Sequence, residues 1–352
     1  MSQDKHQTWN SPDKGLSKYD AASYTLRPFI PAQAQDAYLA LRALNIDVAR
    51  IADIASNPVV GQMRMQFWRD AISRALAFTP PKEPVALLLA SAAASLSART
   101  NQRARLSKPW LNRLVTTREQ YLSNPPYPDL ATLETYAENT YSTLMYLTLS
   151  ALPLTSITAD HIASHIGKAQ GIAAVLRGLP LMAFPPQPKN HSPQNAMGGA
   201  LSGGRQGSVP LPLDIMAEAG VREEDVMRRG SEAKGLKDAV FVVATRANDH
   251  LITARQMLSN VQKGQDVDHE FEHKDDLEHA RGRENVPPPA NSAQAAEVDR
   301  AFGVFMPAIS TQMWLDRLQK VDFDIFDRSL TTVGGDWKLP WKAYWAYSRK
   351  KL

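Results

Sequence analysis

From Pro31 onward, apolar residues recur three and four positions apart in long runs, whereas alternating β-branched stretches bounded by turn residues are almost missing. The pattern predicts an all-α protein. Helices are expected at about 31–55, 59–78, 84–98, 107–123, 129–151, 159–179, 223–229, 234–262, 294–320 and 338–350. Asp160 is the expected N-cap of HIASHIGKAQGIAAVLRG, and Gly178 followed by Pro180 its expected stop.

Two stretches interrupt the periodicity. Phe184 to Ser208 is rich in Pro, Gly and Asn, and Lys263 to Ser292 is polar, charged and close to three prolines. They read as mobile insertions at about 184–208 and 263–292. The helical pattern is alike on both sides of each, which predicts one helical domain over 19–352 rather than two cores. Residues 1–18 read as a disordered lead-in, with neither a secretory signal nor an Arg-rich presequence.

Composition narrows the chemistry. The 352 residues include no cysteine, which excludes disulfides, thiolate zinc, iron–sulfur clusters and cysteine nucleophiles. Net charge is +4, and basic residues are interleaved with acidic ones in segments such as REEDVMRRGSEAK, so no nucleic-acid footprint is expected. No apolar run reaches the ~20 residues that span a bilayer.

The segment from Leu41, LRALNIDVARIADIASNPVVGQMRMQFWRDAI, has the look of a helix that has lost a metal site. Binding a diphosphate through magnesium takes two carboxylates about one turn apart, so that both face one cluster of ions. Asp53 stands alone: Ala49 is four residues before it, and Arg50 has the wrong sign. Asp47 lies roughly 120° around the helix and cannot substitute.

The motifs ALRALNIDVARIAD, RMQFWRDAI, YAENTYSTLMYL, SHIGKAQGIAAVLRG, VPLPLDIMAEAGV and VDFDIFD occur in the order and spacing of the squalene/phytoene synthase family. More narrowly, they resemble its mitochondrial branch, the complex I assembly factor 6 family. The resemblance implies an all-α isoprenoid synthase bundle. It places the first aspartate-rich motif on Ala49, Arg50 and Asp53. The second follows Leu176 and Arg177, and its acidic positions fall on Gly178, Leu181 and Met182. None of those three is acidic. A family position lining the prenyl channel falls on Tyr141, Ser142, Leu144, Met145 and Tyr146, which would narrow it.

The resemblance thus implies a pseudoenzyme with no cofactor or metal, acting on complex I subunits or assembly intermediates at the matrix side of the mitochondrial inner membrane. Two alternatives stay open: a prenyl transferase acting on isoprenoid diphosphates, and a metal-free lipid or isoprenoid binder in which Arg50 holds an anionic headgroup. Other groupings are weighed on their residues. His161 and His165 have a metal-pair spacing without a third ligand, and Lys168 and Arg177 could meet an anion or pair with acids. Asp322, Asp324 and Asp327 lack the glycine and glutamate of a calcium loop. Arg64, Trp68 and Arg69 form a candidate partner surface, with core packing of Trp68 as the alternative. The tail WKLPWKAYWAYSRKKL sets Trp337, Trp341 and Trp345 among cations, a candidate membrane contact, with packing of the last helix onto the bundle an equally good account of the aromatics.

Overall fold

A polar residue, often followed by proline, starts most of the long helices. In the computed structural model, which describes residues 12–55, 57–102, 104–152, 154, 156–185, 207–265, 291–331 and 336–352, helix α1 (Pro12–Tyr19) and α2 (Ala21–Leu26) precede the first long helix, α3 (Gln35–Ile54). Helix α4 (Pro58–Leu76) opens with Asn57 Oδ1 accepting from the Val60 amide at 3.0 Å, and α5 (Pro84–Arg99) with Glu83 Oε2 accepting from Ala86 at 2.6 Å. Ser107 does the same for α6 (Lys108–Gln120), and Asp129 for α7 (Leu130–Ala137). Each cap satisfies an amide that the first helical turn leaves unpaired, and a proline there forfeits no bond.

Helix α7 runs into a π-helical segment, Glu138–Ser142, and on into α8 (Thr143–Leu149). Then comes α9 (Ile157–Ala183), whose buried residues lie on nearly every side, as in a helix surrounded by others. It packs against α7, the π segment, α8 and three later helices: α12 (Leu236–Gln262), α13 (Asn291–Ala301) and α14 (Pro307–Lys320). The short α10 (Leu213–Glu218) and α11 (Glu223–Arg229) lead into α12, and α15 (Leu339–Arg349) lies against α14 and α2. Among the described residues there is no strand.

Two large apolar clusters form the interior. One joins α3 to α4, α5 and α6; the other surrounds α9 and α12. The α7–α8 helix serves both, since Leu144 and Leu147 belong to the first and Met145, Tyr146 and Leu149 to the second.

The central helix comes very close to the π segment through two glycines one turn apart. A Cβ at Gly167 would lie 2.4 Å from Ser142 Cα, and one at Gly171 would lie 2.5 Å from Ala137 Cβ. Only glycine permits this backbone approach. Ser142 Oγ donates to the Ser164 carbonyl at 3.0 Å across the seam.

Several expectations need correction. The cap of α9 is Ser156, whose Oγ accepts from Ala159 at 3.3 Å, while Asp160 is buried in the first turn. Gly178 does not stop that helix, which continues through Pro180 to Ala183. The stretch 294–320 is two helices separated by a 3₁₀ turn, Phe302–Phe305, because Gly303 presses against the Phe29 carbonyl and Pro307 begins α14. Residues 12–18 carry helix α1 where a disordered lead-in is expected, since Leu16 is fully buried against Leu39 and Ile46. Most of the expected insertions, 186–206 and 266–290, lies outside the described residues, as do residues 1–11.

Candidate functional site

The positions expected for the first motif occupy the last turns of α3. Asn45, Ala49 and Asp53 succeed one another at four-residue steps, so they share a face. Asp53 ends exposed. Arg50 stacks on the Tyr19 ring at 3.9 Å, engaged by α1. Burial and the nearby Glu83 carboxylate push Asp47 up to about 6, against the pull of Arg50.

The positions expected for the second motif lie near the end of α9. Leu181 is exposed and Met182 half-buried. Arg177 Nε donates to the Ala173 carbonyl at 3.2 Å, and its guanidinium sits 5.4 Å from the Trp314 ring. Desolvation by the surrounding protein lowers its pKa, opposed by Tyr141 and Asp20, although the residue as a whole is exposed. Around Gly178 there is open space: a Cβ there would meet nothing within 4 Å. The missing acid is therefore not a steric requirement of the fold.

Magnesium does not fit these residues. Ala49, Gly178, Leu181 and Met182 offer no oxygen ligand from their side chains, and one carboxylate cannot supply the shared cluster that a diphosphate needs. Among the described residues, no three His, Asp or Glu side chains converge to hold a metal.

Between the two motif helices stands a group that the periodicity could not reveal. Arg118 of α6 donates Nη2 to Asn45 Oδ1 at 3.1 Å and Nη1 to the Tyr136 hydroxyl. Its guanidinium carbon also lies 5.7 Å from the Tyr141 ring. Burial works against its charge, but the phenol oxygens of Tyr136 and Tyr141 outweigh it and raise its pKa. Tyr121, Tyr127 and Tyr136 pack as a ring cluster with centroids 4.8 to 5.6 Å apart. This region is bound together by cation–aromatic and hydrogen-bond contacts.

Two more polar networks flank α9. Glu138 accepts from the Tyr146 hydroxyl and from Ser164 Oγ at 2.8 Å, with Lys168 Nζ 3.8 Å away. Burial raises its pKa, but these partners outweigh it and the net shift is downward. Lys168 thus pairs with an acid. Glu134 accepts from Arg246 and from His250 Nε2 at 3.0 Å; burial opposes its charge, yet both partners together hold it down at about 2. Burial lowers the pKa of His250, against the pull of Glu134. A neutral His250 that donates from Nε2 must accept at Nδ1, so His165 is the donor across their 3.0 Å contact. His165 therefore joins His250 on α12 rather than forming a metal pair with His161.

The five expected channel residues divide. Tyr141 lies beside Arg118 and Ser142 bonds the Ser164 carbonyl, whereas Leu144 enters one apolar cluster and Met145 and Tyr146, about 100° and 200° further around α8, the other. Asp324 and Asp327 cap local turns, accepting from Phe326 at 3.0 Å and Ser329 at 2.7 Å, and Asp322 pairs with Lys237 at 3.2 Å.

The candidate partner surface is also redrawn. Trp68 is only 7% exposed within the core, and Arg69 is held by Glu119 at 2.5 Å, which leaves Arg64 exposed. The outward face of α4 is an apolar stripe at four-residue steps: Val59, Met63 and Phe67. Trp337, Trp341 and Trp345 are all exposed.

Two solved structures share the architecture. A ligand-bound dehydrosqualene synthase matches with a TM-score of 0.60 at 11% identity, over 99% of both chains. The squalene synthase of Alicyclobacillus acidocaldarius matches with 0.58 at 12% identity, over 89% of this chain and 93% of the other. The fold is thus the all-helical bundle of squalene and phytoene synthases. That family's profile matches residues 16–344. Relatives named NADH dehydrogenase (ubiquinone) complex I, assembly factor 6 are 36% identical in Rattus norvegicus and 33% in Homo sapiens, each over 90% of this chain and 75% of the relative. The Drosophila melanogaster homolog of that factor is 30% identical over 94% of this chain and 80% of its own. The chain belongs to the squalene/phytoene synthase family, in its complex I assembly factor 6 branch.

Proposed function

We propose that this chain is a non-catalytic assembly factor for mitochondrial respiratory complex I, working by contact with complex I subunits or assembly intermediates on the matrix side of the inner membrane. The observation that carries the reading is that the two motif faces together offer a single carboxylate: Asp53, with Ala49 one turn before it on α3, and none at Gly178, Leu181 and Met182 on α9. Such faces cannot neutralise a leaving diphosphate. The names of the relatives supply the client, and the fold supplies a rigid body with an exposed apolar stripe. Val59, Met63 and Phe67, with Arg64 beside them, are the surface through which we propose that the client is held. Apolar anchors next to an arginine suit a protein interface.

The test is rescue of complex I in cells that lack the chain. Asp53→Ala should restore NADH-linked respiration. Met63→Glu with Phe67→Glu should not, although both side chains already face water and the purified variant should melt within about 2 °C of the parent. Failure of Asp53→Ala together with full rescue by the α4 variant would overturn the contact reading and point back to a ligand between the motif helices.

A further inference from the structure

We infer that α15 is a docking helix for an anionic membrane surface. Its inner side is formed by Leu339 and Ala343, both buried, and by Tyr347, whose ring meets Phe29 at 5.4 Å. At about 100° per residue, Trp341, Tyr344 and Trp345 fall within one outward arc of roughly 100°, opposite that packed side. They are 67%, 56% and 54% exposed, and Trp337, in the turn just before the helix, is 75% exposed. Packing onto the bundle therefore accounts for Tyr347 and not for the tryptophans.

Charge selects the occupant. Between Trp337 and Leu352 there are five Lys or Arg residues and no Asp or Glu, more positive charge than the net +4 of the whole chain. Lys342 and Arg349 border the aromatic arc on one side, and Lys338 joins them at the start of the helix. Indole and phenol rings settle at the boundary between headgroups and acyl chains, with lysines beside them at the level of the phosphates. Protein interfaces, in contrast, are depleted in lysine. No described helix is long and apolar enough to cross a membrane, so the contact proposed is peripheral.

The inference deepens the inner-membrane location proposed above but does not depend on the client. Vesicle binding tests the helix and respiration tests the client, so the two readings fail separately. The experiment is flotation of the full chain with vesicles of equal parts phosphatidylcholine and phosphatidylglycerol, compared with phosphatidylcholine alone. The chain should float with the anionic vesicles and stay behind with the neutral ones. Lys338→Gln with Lys342→Gln should bind about thirtyfold more weakly, and Trp341→Ala with Trp345→Ala at least about tenfold more weakly. Both variants should keep the parent's melting temperature, because the side chains removed are exposed. Absence of flotation, equal flotation with both vesicles, or a tryptophan variant that floats like the parent would overturn the assignment; the first result would leave the face to an acidic protein.

Discussion

Replacing Gly167 with alanine should destabilise the protein, while the same change at Gly178 on the same helix should stabilise it. The new methyl at 167 would stand 2.4 Å from Ser142 Cα and 2.5 Å from its amide nitrogen, both backbone atoms that cannot rotate aside. Relief requires α9 and the π segment to separate by roughly 1 Å, and such overpacking costs about 1 to 3 kcal/mol. Separation also stretches the Ser142–Ser164 bond and the contacts that satisfy buried Glu138, worth about another 1 to 3 kcal/mol. Alanine returns about 1 kcal/mol of helix propensity. The net loss is about 1 to 5 kcal/mol, which for a chain of this length lowers the melting temperature by about 1 to 7 °C. At Gly178 the methyl meets nothing within 4 Å, so only the propensity gain of about 0.5 to 1 kcal/mol remains. Thermal melts followed by circular dichroism, with urea titrations for the free energies, would measure both. A Gly167→Ala protein at least as stable as the parent, or two variants that shift the same way, would refute the close approach.

Two further outcomes follow from charge. The folded-state pKa of Asp47 is raised from 3.8 to about 6, so its contribution to stability is fully present below pH 3.8 and lost as pH rises through 6; Asp47→Asn should stabilise at pH 7.5 by about 1 to 2 kcal/mol, under a ceiling of about 3, and change little at pH 3.5, as urea titrations at both pH values would reveal. Glu134 is shifted the other way, from 4.5 to about 2, so it stabilises above pH 4.5 and that contribution, at most about 3 kcal/mol, disappears as pH falls through 2; Glu134→Gln should flatten the acid limb of the stability curve, and an unchanged limb would argue against the bonds from His250 and Arg246.

The fold was legible where apolar periodicity runs long. Helices α3 to α9 and α12 fall close to the expected spans, because each buries a continuous face that has to recur three and four residues apart. The signal weakens in short elements: α1 has Leu16 as its one buried residue, and α10 is only six residues long. It also cannot distinguish a regular helix from one that holds a 3₁₀ turn or a π segment, whose causes are contacts made elsewhere in the chain. At the site, the residue types at Ala49, Gly178, Leu181 and Met182 are plain in the sequence, and the family resemblance is what makes them expected motif positions. The groups that hold this region together could not, since Asn45 and Arg118, or Glu134 and His250, meet only after the chain has folded back on itself. Trp68 shows the same limit at a surface, because an aromatic beside arginines looks alike in sequence whether it faces a partner or the core.

The five π-helical residues at Glu138–Ser142 act as a phase shifter within one rod. An extra residue in a helix turns everything beyond it by about 100°. That turn lets a single rod supply Leu133 and Ala137 to the cluster around α9 and then Leu144 and Leu147 to the cluster on the other side. Losing one residue here would leave every side chain chemically intact and rotate the whole of α8 out of register with both clusters. For this stretch, length is as much a specification as composition, and a single-residue gap that an exposed loop would absorb would here mispack both halves of the interior.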